Sequence, residues 1–323
     1  MKKILSLILA TAFAVSAVAC SNTSQETTTE EAKTVTVSSL NGNKEKIEVE
    51  VPFDPQRVAV LDMPSLDIID SLGVGDRVVG SADTTIEYLQ EYMNTDKVAN
   101  IGTIKEPDME AVMSVEPDVI FIGGRLAGVY DELSEIAPVV YLSIDTELGL
   151  YESTKNNVET VATIFGKEDE VEEKFSNFDE RISALQSFAK GKNAVVGIVI
   201  SGSYNLLGND GKCSIIGNDI GFENIGVKDD GTGTSTHGNE TSFELIKQLN
   251  PDYMFVLDKD AAIATEGAKL AQEIVENELV KSTDTYKNGN IVYLEHSSVW
   301  YTAEGGITAL DYMLGDLETA LLK

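Results

Sequence analysis

The chain of 323 residues is poor in metal ligands and in positive charge. It has two cysteines, Cys20 and Cys213, and two histidines, His237 and His296. A thiolate zinc site needs a larger Cys/His set, so structural zinc is excluded. Zinc or manganese sites built from several histidines with carboxylates are disfavoured on the same count. Lys and Arg number 24 against 54 Asp and Glu, a net charge of −30. Such a surface repels phosphate backbones and gains nothing from counterion release. Nucleic acid is therefore excluded as a partner, and so is adhesion to an anionic membrane through a basic patch. No GxxxxGK[ST] run occurs, so the chain is not a P-loop ATPase, and no GxSxG elbow occurs either. The glycine-rich stretch 231–238 (GTGTSTHG) follows no clear strand and is not a dinucleotide fingerprint.

Long apolar runs are also missing, except at the N-terminus. Met1-Lys2-Lys3 precedes an apolar run from Ile4 to Ala19. That run is short for a bilayer span, which needs about 20 residues, and it reads as a secretory signal over 1–19. Cys20 follows Ala17-Val18-Ala19, the small-residue context of a bacterial lipobox, although Leu is commoner where Ala17 stands. Cys20 is thus read as a lipidation site. This gives it a better explanation than a disulfide to Cys213. Residues 20–33 are polar and are expected to form a flexible tether. The chain is expected on the outer face of a bacterial cytoplasmic membrane, held by its lipid, and monomeric.

At roughly 100–200 residues per domain, the length allows two lobes. Short apolar runs at 57–61, 78–80, 119–122, 139–142, 194–200, 253–257 and 291–294 alternate with helical patterns at 65–72, 109–115 and 243–249. This alternation argues for an α/β fold with mainly parallel sheets. One segment repeats: DMEAVMSVEPDVIFI (108–122) matches SFELIKQLNPDYMFV (242–256). In register, Glu110 meets Glu244, Pro117 meets Pro251, Asp118 meets Asp252, Arg125 meets Lys259 and Thr103 meets His237. Two similar lobes are expected, at 34–150 and 193–323. Between them, 151–192 lacks proline and places Phe175, Phe178, Ile182 and Leu185 at helical spacing. Residues 167–190 as one helix would span about 36 Å and join the lobes as a strut.

This combination of lipobox, tether, two α/β lobes and a linking helix resembles the substrate-binding lipoproteins of ABC importers. It is closest to their helix-linked class, which serves siderophores, haem and corrinoids. Segments 101–125 (IGTIKEPDMEAVMSVEPDVIFIGGR), 235–259 (STHGNETSFELIKQLNPDYMFVLDK) and 300–306 (WYTAEGG) are similar to the subgroup that binds ferric catecholate siderophores. The resemblance implies a binding protein without catalysis or intrinsic cofactor, which captures a ferric siderophore and delivers it to a permease and its ATPase. A haem or corrinoid ligand is the alternative within the class, and a secreted α/β hydrolase the remote alternative outside it.

The ligand implied is a flat polyanion, which calls for cations that reach its oxygens. Arg125 follows a strand and Gly123-Gly124, and strand ends of open α/β sheets face the ligand crevice. Lys259 holds the matching place in the second lobe. Lys212 falls where the subgroup has another arginine, so one Arg and two Lys replace three Arg. Lys212 and Lys259 can equally be read as solvated surface lysines. The resemblance further implies His237 and Tyr301 as iron ligands, and Fe(III) accepts phenolate and imidazole donors. Tyr301 and Trp300 can also serve as aromatic walls, and His296 stands as a substitute for His237. Glu110 and Glu244, at the helix starts of the repeat, are implied contacts to permease arginines. Read without the resemblance, they are first-turn acids that favour the helix dipole.

Overall fold

The computed structural model describes residues 33–93, 95–227 and 237–322. The signal segment, Cys20 and the tether up to residue 32 lie outside the described residues. Strands β1 (Thr34–Leu40) and β2 (Lys46–Pro52) pair antiparallel around a turn at Asn41–Lys44. The alternation of Thr34-Val35-Thr36-Val37 suits such a ribbon, which the sequence reading did not anticipate.

Five parallel strands follow: β3 (Val58–Val60), β4 (Val78–Ser81), β5 (Ala99–Asn100), β6 (Val119–Ile122) and β7 (Val139–Tyr141), in the spatial order β5-β4-β3-β6-β7. The second sheet holds β8 (Asn193–Ile200), β9 (Ser203–Leu206), β11 (Asn239–Glu240), β12 (Tyr253–Asp258) and β13 (Ile291–Tyr293), in the order β11-β9-β8-β12-β13. The short β10 (Glu223–Asn224) pairs with the start of β8. Strands β8, β12 and β13 run parallel, while β9 and β11 are antiparallel additions at one edge. The expected α/β class with mainly parallel sheets is therefore what the chain adopts.

The sequence repeat performs the same structural task twice. Strand β6 pairs with β3 as β12 pairs with β8. The Asp118 carboxylate accepts the backbone N–H groups of Gln56 and Arg57 at 2.8 and 2.9 Å, just before β3. Asp252 accepts the N–H of Asn193 at 3.0 Å, at the start of β8. Each Pro-Asp pair thus pins the beginning of a neighbouring strand, where an unpaired backbone N–H would otherwise be left.

The segment between the sheets is helical in three pieces: Leu150–Phe165, Glu168–Phe175 and Phe178–Ala189. The rod expected over 167–190 is present but jointed at Ser176-Asn177. Both residues keep helical dihedrals, and the Ser176 hydroxyl donates back to the Glu173 carbonyl at 2.8 Å. Serine and asparagine side chains compete for backbone groups in this way and weaken a helix interior. The buried face is Phe175, Phe178, Ile182 and Leu185, as the spacing requires. The C-terminal helix Ile307–Leu321 packs against Met63–Ser71 and Phe178–Ala189. One apolar core runs from β3–β7 through these helices to Phe255 and Leu257 of β12. Among the described residues no helix is long and apolar enough to cross a membrane.

Candidate functional site

The loops that leave the carboxyl ends of β3, β6 and β7 converge on one cavity of about 620 Å³. Its lining includes Asp62 after β3, Gly123, Gly124 and Arg125 after β6, and Tyr141–Ile144 at and after β7. From the other half of the chain come Asp210, Gly211 and Lys212, which follow β9, and Thr302 and Glu304. The volume suits a small-molecule ligand, and the place is where open α/β sheets bind theirs. Larger depressions, of about 790 and 870 Å³, lie beside the helices of Glu110 and Glu244. Their titratable lining is mainly acidic, and they gather none of the expected ligand-binding residues.

Arg125 is exposed in the short turn Gly124–Val129, and its guanidinium lies over the Tyr301 ring at 5.8 Å. It makes no ion pair among the described residues, which leaves its fork of donors to a ligand. Gly123 cannot carry a side chain, because a Cβ there would stand 2.1 Å from Asp62 Oδ1. That close approach brings the Arg125 loop against the start of the Met63–Ser71 helix, which Asp62 caps by accepting the Ser65 N–H at 3.1 Å. Burial pushes the Asp62 carboxyl above its ordinary value, while Ser65, Arg125 and Lys212 pull it back. Burial and the nearby Asp62 also raise the Tyr141 phenol.

Lys212 reaches the same cavity with its Nζ 3.1 Å from Glu304 Oε2. The other Glu304 oxygen accepts the Cys213 backbone N–H at 2.9 Å. Lys44, in the β1–β2 turn, supplies a further cation that sequence reasoning missed. Asp62, Tyr141 and Glu304 were missed as well. Asp62 could have been found from its place directly after a strand, and Glu304 from the WYTAEGG segment.

The remaining expected residues are distributed differently. Lys259 opens the helix Lys259–Ala262 directly after β12, which matches the place of Arg125 after β6, yet it does not line the cavity. Tyr301 is 3% exposed beneath Arg125 and adjoins the cavity residue Thr302. His237 is exposed, and its carbonyl accepts the Asn205 amide at 2.9 Å on β9, the strand that continues towards Lys212. The preceding residues 228–236 lie outside the described residues. Trp300 requires a correction as a cavity wall. It is 0% exposed, and its indole N–H donates to Asp316 at 2.9 Å, so its ring belongs to the core. The apolar body and single donor of Trp favour that burial once the donor is satisfied. His296 shares Asp316 at 2.6 Å and faces the separate depression beside Tyr88 and Tyr312. Glu110 and Glu244 are exposed at equivalent places, each the second residue of a helix capped by Asp108 or Ser242.

Known proteins support the same reading of the fold. The chain is 34% identical over the whole length of both chains to the petrobactin-binding protein YclQ of Bacillus subtilis. It is 30% identical over 81% of each chain to the ferric-anguibactin-binding protein FatB of Vibrio anguillarum. The crystal structure of YclQ superposes with a TM-score of 0.81 at 33% identity, covering 90% of this chain and 99% of that one. The periplasmic catecholate-siderophore binding protein VctP of Vibrio cholerae superposes with a TM-score of 0.79 at 32% identity, covering 88% and 100%. Residues 58–297 match the periplasmic binding protein family. With the loops after β3, β6 and β7 facing one cavity, the chain belongs to the periplasmic binding proteins, a family that binds substrates and does not transform them.

Proposed function

We propose that this protein captures a ferric siderophore of the catecholate type outside the cytoplasmic membrane and presents it to an ABC permease for iron uptake. The observation that carries the reading is the convergence of Arg125 and Lys212 on one cavity at the strand ends, with the Tyr301 ring beneath Arg125. Forked and point cations at that spot suit the oxygens of an anionic iron complex. The relatives named for petrobactin, ferric anguibactin and catecholate siderophores point the same way. In this reading Tyr301 and His237 complete the iron shell where the ligand leaves it open, and Lys259 draws the anion from the second half. Glu110 and Glu244, in equivalent places on two short helices, meet a permease of two-fold symmetry. Cys20 carries the lipid anchor.

The test is a titration of the purified chain with a ferric bis-catecholate, a ferric hydroxamate and haem. It is read by quenching of the single tryptophan and by colour that stays with the protein on gel filtration. Selective retention of the catecholate is the expected result. Retention of haem alone, or of none of the three, overturns the reading.

A further inference from the structure

The cavity lining holds as many carboxylates as cations. Among the described residues, Lys44, Arg125 and Lys212 face Asp62, Asp210 and Glu304. A site built only to attract a polyanion would not carry that balance. Glu304 is the acid most firmly placed. Its side chain is 6% exposed and that of Lys212 is 17% exposed. The Cys213 N–H holds the second Glu304 oxygen, and Cys213 takes a positive φ of 61° at that point. The carboxylate is therefore held by the backbone as well as by Lys212.

We propose that Glu304 is a charge selector: a fixed carboxylate that competes with the ligand for Lys212 and penalises each further negative charge the ligand brings. The proposal rests on the reading of this cavity as a ferric siderophore site. Its physical basis is that charges in a partly buried site are weakly screened. A ligand oxygen that takes Lys212 leaves Glu304 without its cation and close to another anion, which is costly. Two catecholates on Fe(III) leave one negative charge, and three leave three. The cavity should therefore favour the less charged complex, and the same repulsion should speed release of a highly charged one.

The experiment compares the full chain, in mild detergent, with its Glu304→Gln and Lys212→Met variants. Each is titrated with a ferric bis-catecholate and a ferric tris-catecholate. Glutamine keeps an acceptor for the Cys213 N–H and removes the charge. Glu304→Gln should bind the tris-catecholate about tenfold tighter, and the bis-catecholate by no more than roughly twofold. Lys212→Met, which exposes the unpaired carboxylate to the ligand, should lose more affinity for the tris- than for the bis-catecholate. Equal changes for both ligands, or weaker binding of both by Glu304→Gln, would show that Glu304 only positions Lys212 and would overturn the proposal. Should Glu304→Gln fail to fold, the same comparison of bis- and tris-catecholate with Glu304→Ala decides, since Lys212→Met removes a cation and disfavours the more charged ligand whatever Glu304 does. A wild-type chain that binds neither complex defeats the siderophore reading itself, an outcome distinct from a wild type that binds without charge preference.

Discussion

At the scale of single residues, the cavity combines a free cation with a tethered one. Arg125 spends no donor on a described acid, whereas Lys212 is shared with Glu304. Arg125→Ala should therefore weaken both bis- and tris-catecholate complexes by about tenfold or more, as the loss of a charge-assisted contact implies. An unchanged affinity would remove Arg125 from the binding site. Tyr301→Phe and His237→Ala should behave differently, because a donor to iron matters only where the siderophore leaves coordination sites open. Each should weaken a tetradentate ligand more than a hexadentate one in parallel titrations, and equal losses would count against iron ligation. Tyr301 already adjoins the cavity, while His237 stands at the β9–β11 edge. Of the two variants, His237→Ala is thus the sharper trial of the assignment. Trp300 was legible as a neighbour of the site only in sequence. Its partner Asp316 lies 16 residues further on, and no local pattern announces that bond.

At the scale of elements, each half of the chain caps a helix that belongs with the other. Asp67, on Met63–Ser71 in the half of the first sheet, accepts the N–H groups of Thr308 and Ala309 at 2.9 and 2.8 Å. It thereby closes the N-terminus of Ile307–Leu321, whose own N-cap is Gly306. In return Asp219, beyond β9, accepts the N–H groups of Leu150 and Tyr151, both at 3.0 Å. It closes Leu150–Phe165, whose N-cap Gly149 has φ +85° and no room for a Cβ beside Asp219. Helix N-termini leave orphan donors that attract carboxylates, so both contacts are favourable and both tie the halves together. The Thr85 hydroxyl, which donates to the Ala262 carbonyl at 3.2 Å, adds a third tie. Asp67→Asn should destabilise the fold by about 2–3 kcal/mol in urea denaturation. Both Asp67 oxygens accept bonds, from Ser71 and Tyr88 as well as from the helix, so an amide NH2 would face donors. A loss under about 0.5 kcal/mol would mean that the helix end finds other partners.

At the scale of the whole molecule, charge dominates. Burial raises the carboxyls of Asp62, Asp67 and Asp219 above their ordinary value of 3.8. A carboxyl raised in the folded state holds its proton more tightly there than in the unfolded chain. Its contribution to stability is then full below the unfolded value and is lost as pH rises through the folded one. Self-repulsion within a chain of net charge −30 grows as pH rises and so acts in the same sense. The exposed Glu170 and Asp284, both lowered by lysine partners or hydrogen bonds, act oppositely, but only as pH falls below their ordinary values of 4.5 and 3.8. The melting temperature should therefore be higher at about pH 5 than at about pH 7.5 in scanning calorimetry. A flat or falling profile over that interval would show that neither the raised carboxyls nor self-repulsion governs stability there.

The sequence by itself determined the α/β class, the central strands and the equivalence of the two halves, because hydrophobic period and the Pro-Asp repeat are local signals. Arg125 was readable for the same reason: a strand, two glycines and a cation occur in order. The short strands β5, β9, β10 and β11 were not legible, since two to four residues are too short for a pattern and are held by their neighbours. Only the tertiary structure decided which cations share a cavity. It brought Lys44 in, left Lys259 outside, gave Lys212 a carboxylate and sank Trp300 into the core. Those outcomes depend on how the two halves meet, and Asp67 and Asp219 fix that meeting through bonds between residues 241 and 69 positions apart. Periodicity reports which face of an element is buried, but it does not say what that face will meet.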